Sequence, residues 1–351
     1  MAHMDSERIL VISHSYKPFL NPRAFRWSAI AEHWALQGKD VDVITSWLPG
    51  LKRYELVNGV EIHRVGGSIT ERFRAILRPK ERSTMPHTIE NKNQVRLSTL
   101  QIIFGWALRA ALFVNDKIWK NIYWPDYACL WITPASNKAL ELCAMEKYRT
   151  VISVSDPFSS HLSGLNVKLK YPEMKWLVDI GDPFSFRHDN PTNNHRLYRK
   201  LNYRKENQVL ALADSISVTT NGTRQKYSES FECVGSKLKV IPPILSKLPI
   251  VQEGKRILPE NKNIKFLYVG TLYRTIRNPE YLLKLFRSLL TMNQTVNAEL
   301  HFFGGYDDCQ EIIAPYQLLF ADRLVLHGLV EQSVVLKAMS EADILINIGN
   351  N

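Results

Sequence analysis

Short, nearly unbroken apolar runs alternate with longer segments of helical period along most of this chain. RILVIS (8–13), DVDVIT (40–45), TVISV (150–154), MKWLVDI (174–180), SISVT (215–219) and LKVI (238–241) read as strands. A second series follows at IKFLYV (264–269), AELHFF (298–303), RLVLH (323–327) and DILINI (343–348). Runs with so little polar alternation belong to strands covered on both faces. Strands that alternate with helical segments pack most economically as a parallel sheet between helix layers, which predicts an α/β fold. After the first strand, Ala24, Trp27, Ala31 and Trp34 recur on one helical face, and Gly38 supplies a C-terminal stop. Glu55–Val65 reads as a hairpin turning on Asn58-Gly59. The same opening restarts at NIKFLYVGTLYRTIRNPEYLLKLFRSLL (263–290), where a strand feeds a loop and then a helix beginning near Asn278-Pro279. Two such openings predict two Rossmann-like halves, over 5–245 and 264–351. Residues 246–263, with their Pro, Gly and charges and no apolar period, read as the linker.

At 351 residues and 45% hydrophobic content, the chain has enough apolar side chains for two such cores. Residues 1–4, Met-Ala-His-Met, read as a cloning remnant. No window approaches the roughly 18 apolar residues of a membrane span, and no signal-peptide pattern opens the chain, so a cytoplasmic protein is expected. The cysteines Cys129, Cys143, Cys233 and Cys309 lie far apart and lack metal-ligand spacing, which predicts free thiols and no zinc site. No metal or resident cofactor is expected.

The net charge of +11 points to an anionic partner. Arg72, Arg74, Arg78, Lys80, Arg82, Lys92 and Arg96 crowd into one patternless stretch, Ser68 to Ser98, followed by an apolar and aromatic one from Leu100 to Trp124. The second stretch is either a buried helix or a helix that lays an apolar face on an anionic membrane surface; in the second case 68–124 is the membrane-facing region of a peripheral protein. A nucleic-acid partner is not expected, because no binding motif with interleaved aromatics accompanies the charge.

Five strings in order are similar to glycosyltransferase family 4, which has the GT-B architecture of two Rossmann-like domains. They are the first βα loop, SYKPFLNPRAFRW (15–27); YWPDYACLW (123–131); VISVSDPFSSHLSG (151–164) with WLVDIGDPFS (176–185); ALADSISVTTNGTRQKY (211–227); and LYVGTLYRTIRNPEYLL (267–283). The resemblance covers essentially the whole chain. It implies transfer of a sugar, with retention, from a nucleotide-sugar bound in the C-terminal half to a glycan or lipid-linked acceptor in the N-terminal half. The setting implied is bacterial polysaccharide, lipopolysaccharide or capsule synthesis at the inner face of the plasma membrane. Members hold the donor diphosphate with an Arg and a Lys in a G-R-L-x-x-x-K-G loop. Here Gly270 is kept, Thr271 stands at the Arg position, Arg277 falls near the Lys position and Arg274 lies between them. Read without the resemblance, the two arginines are solvated loop cations.

Asp182 follows the strand ending at Ile180 and best matches the polar residue that members place beside the reacting sugar, with Asp179 second; a turn or capping role before Pro183 explains Asp182 equally. Ser155, Asp156 and His161 occupy the equivalent strand end, where Asp156 also reads as a cap and His161 as a partly buried helix residue. Trp124, Asp126 and Trp131 offer an acceptor wall with one polar anchor, or ordinary core packing. Where members carry a Gly pair, this chain has Asn21, Pro22 and Arg23; Arg23 and Arg26 either bring charge to a ligand or merely follow an Asn cap and an N1 proline. Members continue past the last strand with a Glu-rich motif and further helices, so the resemblance implies a chain cut within its nucleotide half and weakly active or inactive. A sugar-nucleotide epimerase of the same architecture is the alternative enzyme, and a non-enzymatic binder of anionic surfaces or nucleic acid the alternative of another class.

Overall fold

The computed structural model describes residues 8–19, 21–67, 120–146, 148–187, 191–243, 256–275, 277–292 and 297–349. Residues 1–4, the basic stretch, most of the apolar stretch after it and the expected linker up to 255 lie outside them. The described residues fall into two compact units, one up to residue 243 and one from 256.

The first unit is an eight-stranded sheet: β1 (Ile9–Ser13), β2 (Val41–Ser46), β3 (Tyr54–Val57), β4 (Val60–Val65), β5 (Thr150–Val154), β6 (Lys175–Ile180), β7 (Ser215–Val218) and β8 (Leu238–Val240). The spatial order is β3-β4-β2-β1-β5-β6-β7-β8. Every pairing is parallel except the β3–β4 hairpin. The hairpin closes on Asn58 and Gly59, both at positive φ (52° and 80°), as a two-residue type I′ turn requires. Its helices are α1 (Pro22–Leu36), α2 (Ile132–Met145), α3 (Ser159–Lys170), α4 (His195–Leu212) and α5 (Asn221–Ser230). Alternate residues of β1 serve opposite faces: Leu10 and Ile12 join Trp131, Leu142 and Trp176, while Ile9 and Val11 pack with Trp27, Val43 and Ile62. That division explains the unbroken apolar strands.

Helix α1 starts where the sequence places it. Asn21 is extended and its side-chain oxygen accepts from the Ala24 amide at 2.9 Å, Pro22 fills the first helical position, and Gly38 adopts φ +79° just past the end. From β1 the chain builds outward to β2 and β4, then returns to β5 and builds the other way. The ends of β1 and β5 are therefore the topological switch point, where open α/β sheets leave a crevice for ligands.

In the second unit β9 (Ile264–Val269), β10 (Ala298–Phe303), β11 (Leu324–Gly328) and β12 (Ile344–Ile346) form a parallel sheet ordered β11-β10-β9-β12, with α6 (Glu280–Met292), α7 (Gln310–Phe320) and α8 (Gln332–Glu341) between them. The last strand is shorter than its apolar run. The loops after β9 and β10 meet backbone to backbone: Gly304, at φ +129°, would carry a Cβ 2.2 Å from the Gly270 carbonyl oxygen. Only glycine fits there.

One buried carboxylate ties the first unit together. Asp179 on β6 is 1% exposed and accepts from Ser217 Oγ on β7 (2.6 Å), Trp27 Nε1 (2.8 Å) and Arg26 Nη2 (3.2 Å) on α1. Removing it strands a buried guanidinium, so Asp179→Ala should cost about 3–5 kcal/mol in urea unfolding. The partly exposed Asp182, three residues on, should cost less than about 1 kcal/mol as Asp182→Ala. Equal losses would contradict this assignment.

Candidate functional site

The loops after β5 and β6 carry the same short string, Asp156-Pro157-Phe158-Ser159 and Asp182-Pro183-Phe184-Ser185. They fold against each other. The Phe158 and Phe184 rings stack with centroids 3.9 Å apart, and Arg187 sets one guanidinium nitrogen 3.7 Å from Asp156 and 3.9 Å from Asp182. From the first turn of α1, Arg23 reaches Asp182 at 2.7 Å. Its guanidinium lies over Gly181, where a Cβ would stand 2.0 Å from Arg23 Cζ. Arg23, Asp182, Arg187 and Asp156 thus form one polar cluster at the carboxyl ends of β5 and β6. Burial raises the Asp156 carboxyl above its ordinary value, with Arg187 opposing.

Beneath the cluster, His161 is 2% exposed. Trp176 Nε1 donates to Ser153 Oγ (2.9 Å), which leaves the Ser153 hydroxyl hydrogen for His161 Nδ1 (2.8 Å). This network assigns the proton of the neutral ring to Nε2. His161 Nε2 and Ser155 Oγ are buried without a hydrogen-bond partner among the described residues. They line a void of about 10 Å³ with Phe158, Asp182, Phe184 and Glu206, room for about one water. Burial pushes the His161 ring down to about 3, so it stays neutral.

The other expected residues divide by burial. Asp179 and Arg26 belong to the tie between α1 and the sheet, and Asn21 caps α1. Asp126 is fully buried and accepts from the Ala128 amide (2.9 Å), the Ser159 amide (2.9 Å) and Ser159 Oγ (2.6 Å), so it caps α3 rather than standing at a surface. Burial and the Asp156 charge raise its carboxyl to about 6 against those hydrogen bonds. Trp131 is 1% exposed in the core, and Trp124 donates to Asn202 on α4 at 2.9 Å. The cluster residue that sequence reasoning missed is Arg187. Gly181 was missed with it, since only the fold brings Arg23 across it.

In the second unit, Gly270 donates its amide to the Phe303 carbonyl (2.9 Å) and Leu272 to Gly305 (2.8 Å), which pins the loop after β9 and leaves the Thr271 position between them. Arg274 is exposed and paired with Glu311 at 2.6 Å. Arg277 is half-buried, exchanges backbone hydrogen bonds with Tyr273 (3.2 and 3.3 Å) and bears on the Tyr268 hydroxyl. The start of α6 is already occupied: Asn278 caps the Glu280 amide at 2.9 Å, and Glu280 sits in the first turn. The loop after β10, Gly304-Gly305, adjoins Thr271; a glycine pair following an apolar strand was a legible signal for it.

Among the described residues, one group brings metal-type ligand atoms within 4.8 Å of one another: Asp42, Glu61 and His63. Arg8 already supplies the positive charge there, 3.1 Å from Asp42 and 3.7 Å from Glu61. Among the described residues no helix is long and apolar enough to cross a membrane.

No family model and no curated protein sequence matches the chain. Solved structures do match it. The catalytic domain of starch synthase IV from Arabidopsis thaliana, bound to ADP and acarbose, has a TM-score of 0.59 at 8% identity, over 97% of this chain and 78% of that one. An apo structure of OtsA scores 0.58 at 12% identity, over 97% and 77%. The UDP-GlcNAc 2-epimerase from Methanocaldococcus jannaschii scores 0.50 at 11% identity, over 96% and 77%. Such identities speak for the fold alone: an α/β chain with two Rossmann-like parallel sheets, the GT-B fold.

The two buried groups below the cluster titrate in opposite senses. The folded chain keeps His161 neutral to about pH 3, whereas the unfolded ring protonates near 6.5, so this group's contribution to stability falls as pH drops through that window. Folded Asp126 takes its proton near 6 and unfolded Asp126 near 3.8, so its contribution rises as pH drops. Between about pH 6 and 4, His161→Gln should gain stability relative to the parent by up to about 1.4 kcal/mol per pH unit, and Asp126→Asn should lose it. Urea unfolding across that range reads both slopes; parallel slopes for the two variants would contradict the assignments.

Proposed function

We propose that the protein is a retaining glycosyltransferase of the family 4 type, moving a sugar from a nucleoside diphosphate donor to a glycan or lipid-linked acceptor in bacterial surface-polysaccharide synthesis. The observation that carries this reading is the cluster beside the switch point of the first sheet, at the carboxyl ends of β5 and β6: an exposed carboxylate, Asp182, flanked by Arg23 and Arg187. A GT-B fold with such a polar strand end suits a hydroxyl-bearing acceptor, and the likeness to a starch synthase crystallised with ADP supports a nucleotide-sugar donor.

In this reading the bond from the anomeric carbon to the diphosphate breaks as the acceptor oxygen bonds that carbon on the same face. The electron pair leaves with the diphosphate, and the hydroxyl proton passes to the departing phosphate oxygen. The chain's own residues position and compensate charge. Asp182 accepts a hydrogen bond from the acceptor hydroxyl, and Arg23 fixes the carboxylate. The Thr271 amide and Arg277 hold the diphosphate, with Arg274 exchanging its exposed Glu311 partner for a phosphate oxygen. Arg277 is the better placed of the two, since it has no carboxylate partner among the described residues.

The fold likeness to a UDP-GlcNAc 2-epimerase favours one second reading, epimerisation of the sugar nucleotide itself. Product analysis with a nucleotide-sugar and no acceptor separates them, because an epimerase then turns over and a transferase does not.

A thermal-shift panel of UDP-, GDP-, TDP- and ADP-sugars should raise the melting temperature with one base class, by mass action. Arg277→Ala should then weaken nucleotide binding by about 10–100-fold, the loss of one or two charge-assisted hydrogen bonds. Asp182→Asn should leave that affinity unchanged while lowering transfer of labelled sugar at least about tenfold. Nucleotide binding that is lost in Asp182→Asn and kept in Arg277→Ala would reverse the roles.

A further inference from the structure

The outward face of α4 combines cations that have no carboxylate partner among the described residues with exposed leucines. Asn202, Glu206, Val209 and Leu210 turn inward. On the opposite side Leu197 and Leu201, one turn apart, are 63% and 36% exposed, and the exposed Arg196, Lys200 and Arg204 form a row along one flank of them. None of these three cations has a carboxylate partner among the described residues, although the chain forms ion pairs elsewhere. The segment before β5 extends the face. Tyr198 donates to the Ile122 carbonyl and Asn194 Nδ2 to that of Asn121 (3.3 Å), which holds Ile122, 55% exposed, beside the helix. The buried Asn193–Asn202 amide pair, with two hydrogen bonds of 3.0 Å, and the contact from Asn193 to the Pro125 carbonyl (2.6 Å) make this a fixed surface.

We infer that this face, with Ile122, Leu197 and Leu201 flanked on one side by Arg196, Lys200 and Arg204, docks on an anionic lipid surface. A helix with basic residues flanking an exposed apolar stripe has the composition of an interfacial helix, whose stripe enters the headgroup boundary while the cations meet lipid phosphates. The leucines decide between a bilayer and a nucleic acid: phosphate contacts alone give them nothing to bury against. The surface lies wholly within the described residues of the first unit and does not depend on the proposed enzymatic activity.

Co-sedimentation of the full chain with vesicles tests it, comparing equal parts phosphatidylglycerol and phosphatidylcholine with phosphatidylcholine alone. The chain should prefer the anionic vesicles. Each basic residue near such a surface changes partitioning roughly fivefold, the equivalent of about 1 kcal/mol. The triple variant Arg196→Gln, Lys200→Gln, Arg204→Gln should therefore lower binding at least about tenfold. Leu197→Ser with Leu201→Ser should also lower it while leaving the salt dependence in place. Both variants change exposed positions, and unchanged melting temperatures confirm that they fold. Binding equal to the parent's in either variant would overturn the inference. So would a chain that ignores anionic vesicles, or one that binds duplex DNA through these residues more tightly than it binds lipid.

Discussion

The buried Asp179 carboxylate is the constraint on which the rest of the first unit depends. A charge at the end of a central strand is tolerated only when every acceptor position is filled, and here the donors come from α1 and β7. In filling them, the helix is locked in rotation as well as position. Arg26 and Trp27 must face the strand, which sends Arg23, one turn earlier, out over Gly181 to Asp182. The exposed half of the cluster is thus positioned by the buried half. The same economy appears at Asp126, which holds α3 by its first amide and so sets the β5 loop from which Asp156 meets Arg187.

The second unit uses backbone instead of charge for the same purpose. Two glycines, Gly270 and Gly304, bring adjacent loops to within a contact that no side chain permits. Thr271 lies where these loops meet, and Arg277 is pinned by its backbone bonds to Tyr273, without a buried ion pair. A site meant to receive a diphosphate gains from this arrangement, because a cation without a standing carboxylate partner has no competitor to displace.

Strands, the Asn21-Pro22 helix start, the Gly38 stop and the Asn58-Gly59 turn were legible because each rests on residues adjacent in sequence. The parallel two-half architecture followed from their alternation alone. The roles of the acidic residues were not legible in the same way. Asp179 and Asp182 lie three positions apart with similar local context, yet one is sealed by donors from positions 26, 27 and 217 and the other is half-exposed. Nothing local distinguishes them. The two readings of Asp126, acceptor anchor or core residue, were not separable for the same reason, since its partner Ser159 lies beyond α2 and β5. The repeated Asp-Pro-Phe-Ser string was visible, but that its two phenylalanines stack and its two aspartates share Arg187 is a property of neighbouring parallel strands. The face of α4 escaped notice because its basic residues are scattered through a helix and only burial sorts them onto one side.

The central claim is that this GT-B chain receives a nucleoside diphosphate sugar on its second unit, with the first left for an acceptor. A crystal structure of the chain with a nucleoside diphosphate sugar bound tests it most directly. The account predicts the diphosphate within hydrogen-bond reach of the Thr271 amide and the Arg277 guanidinium, beside Gly304-Gly305. A diphosphate held instead by Arg23 and Arg187 on the first unit would contradict it.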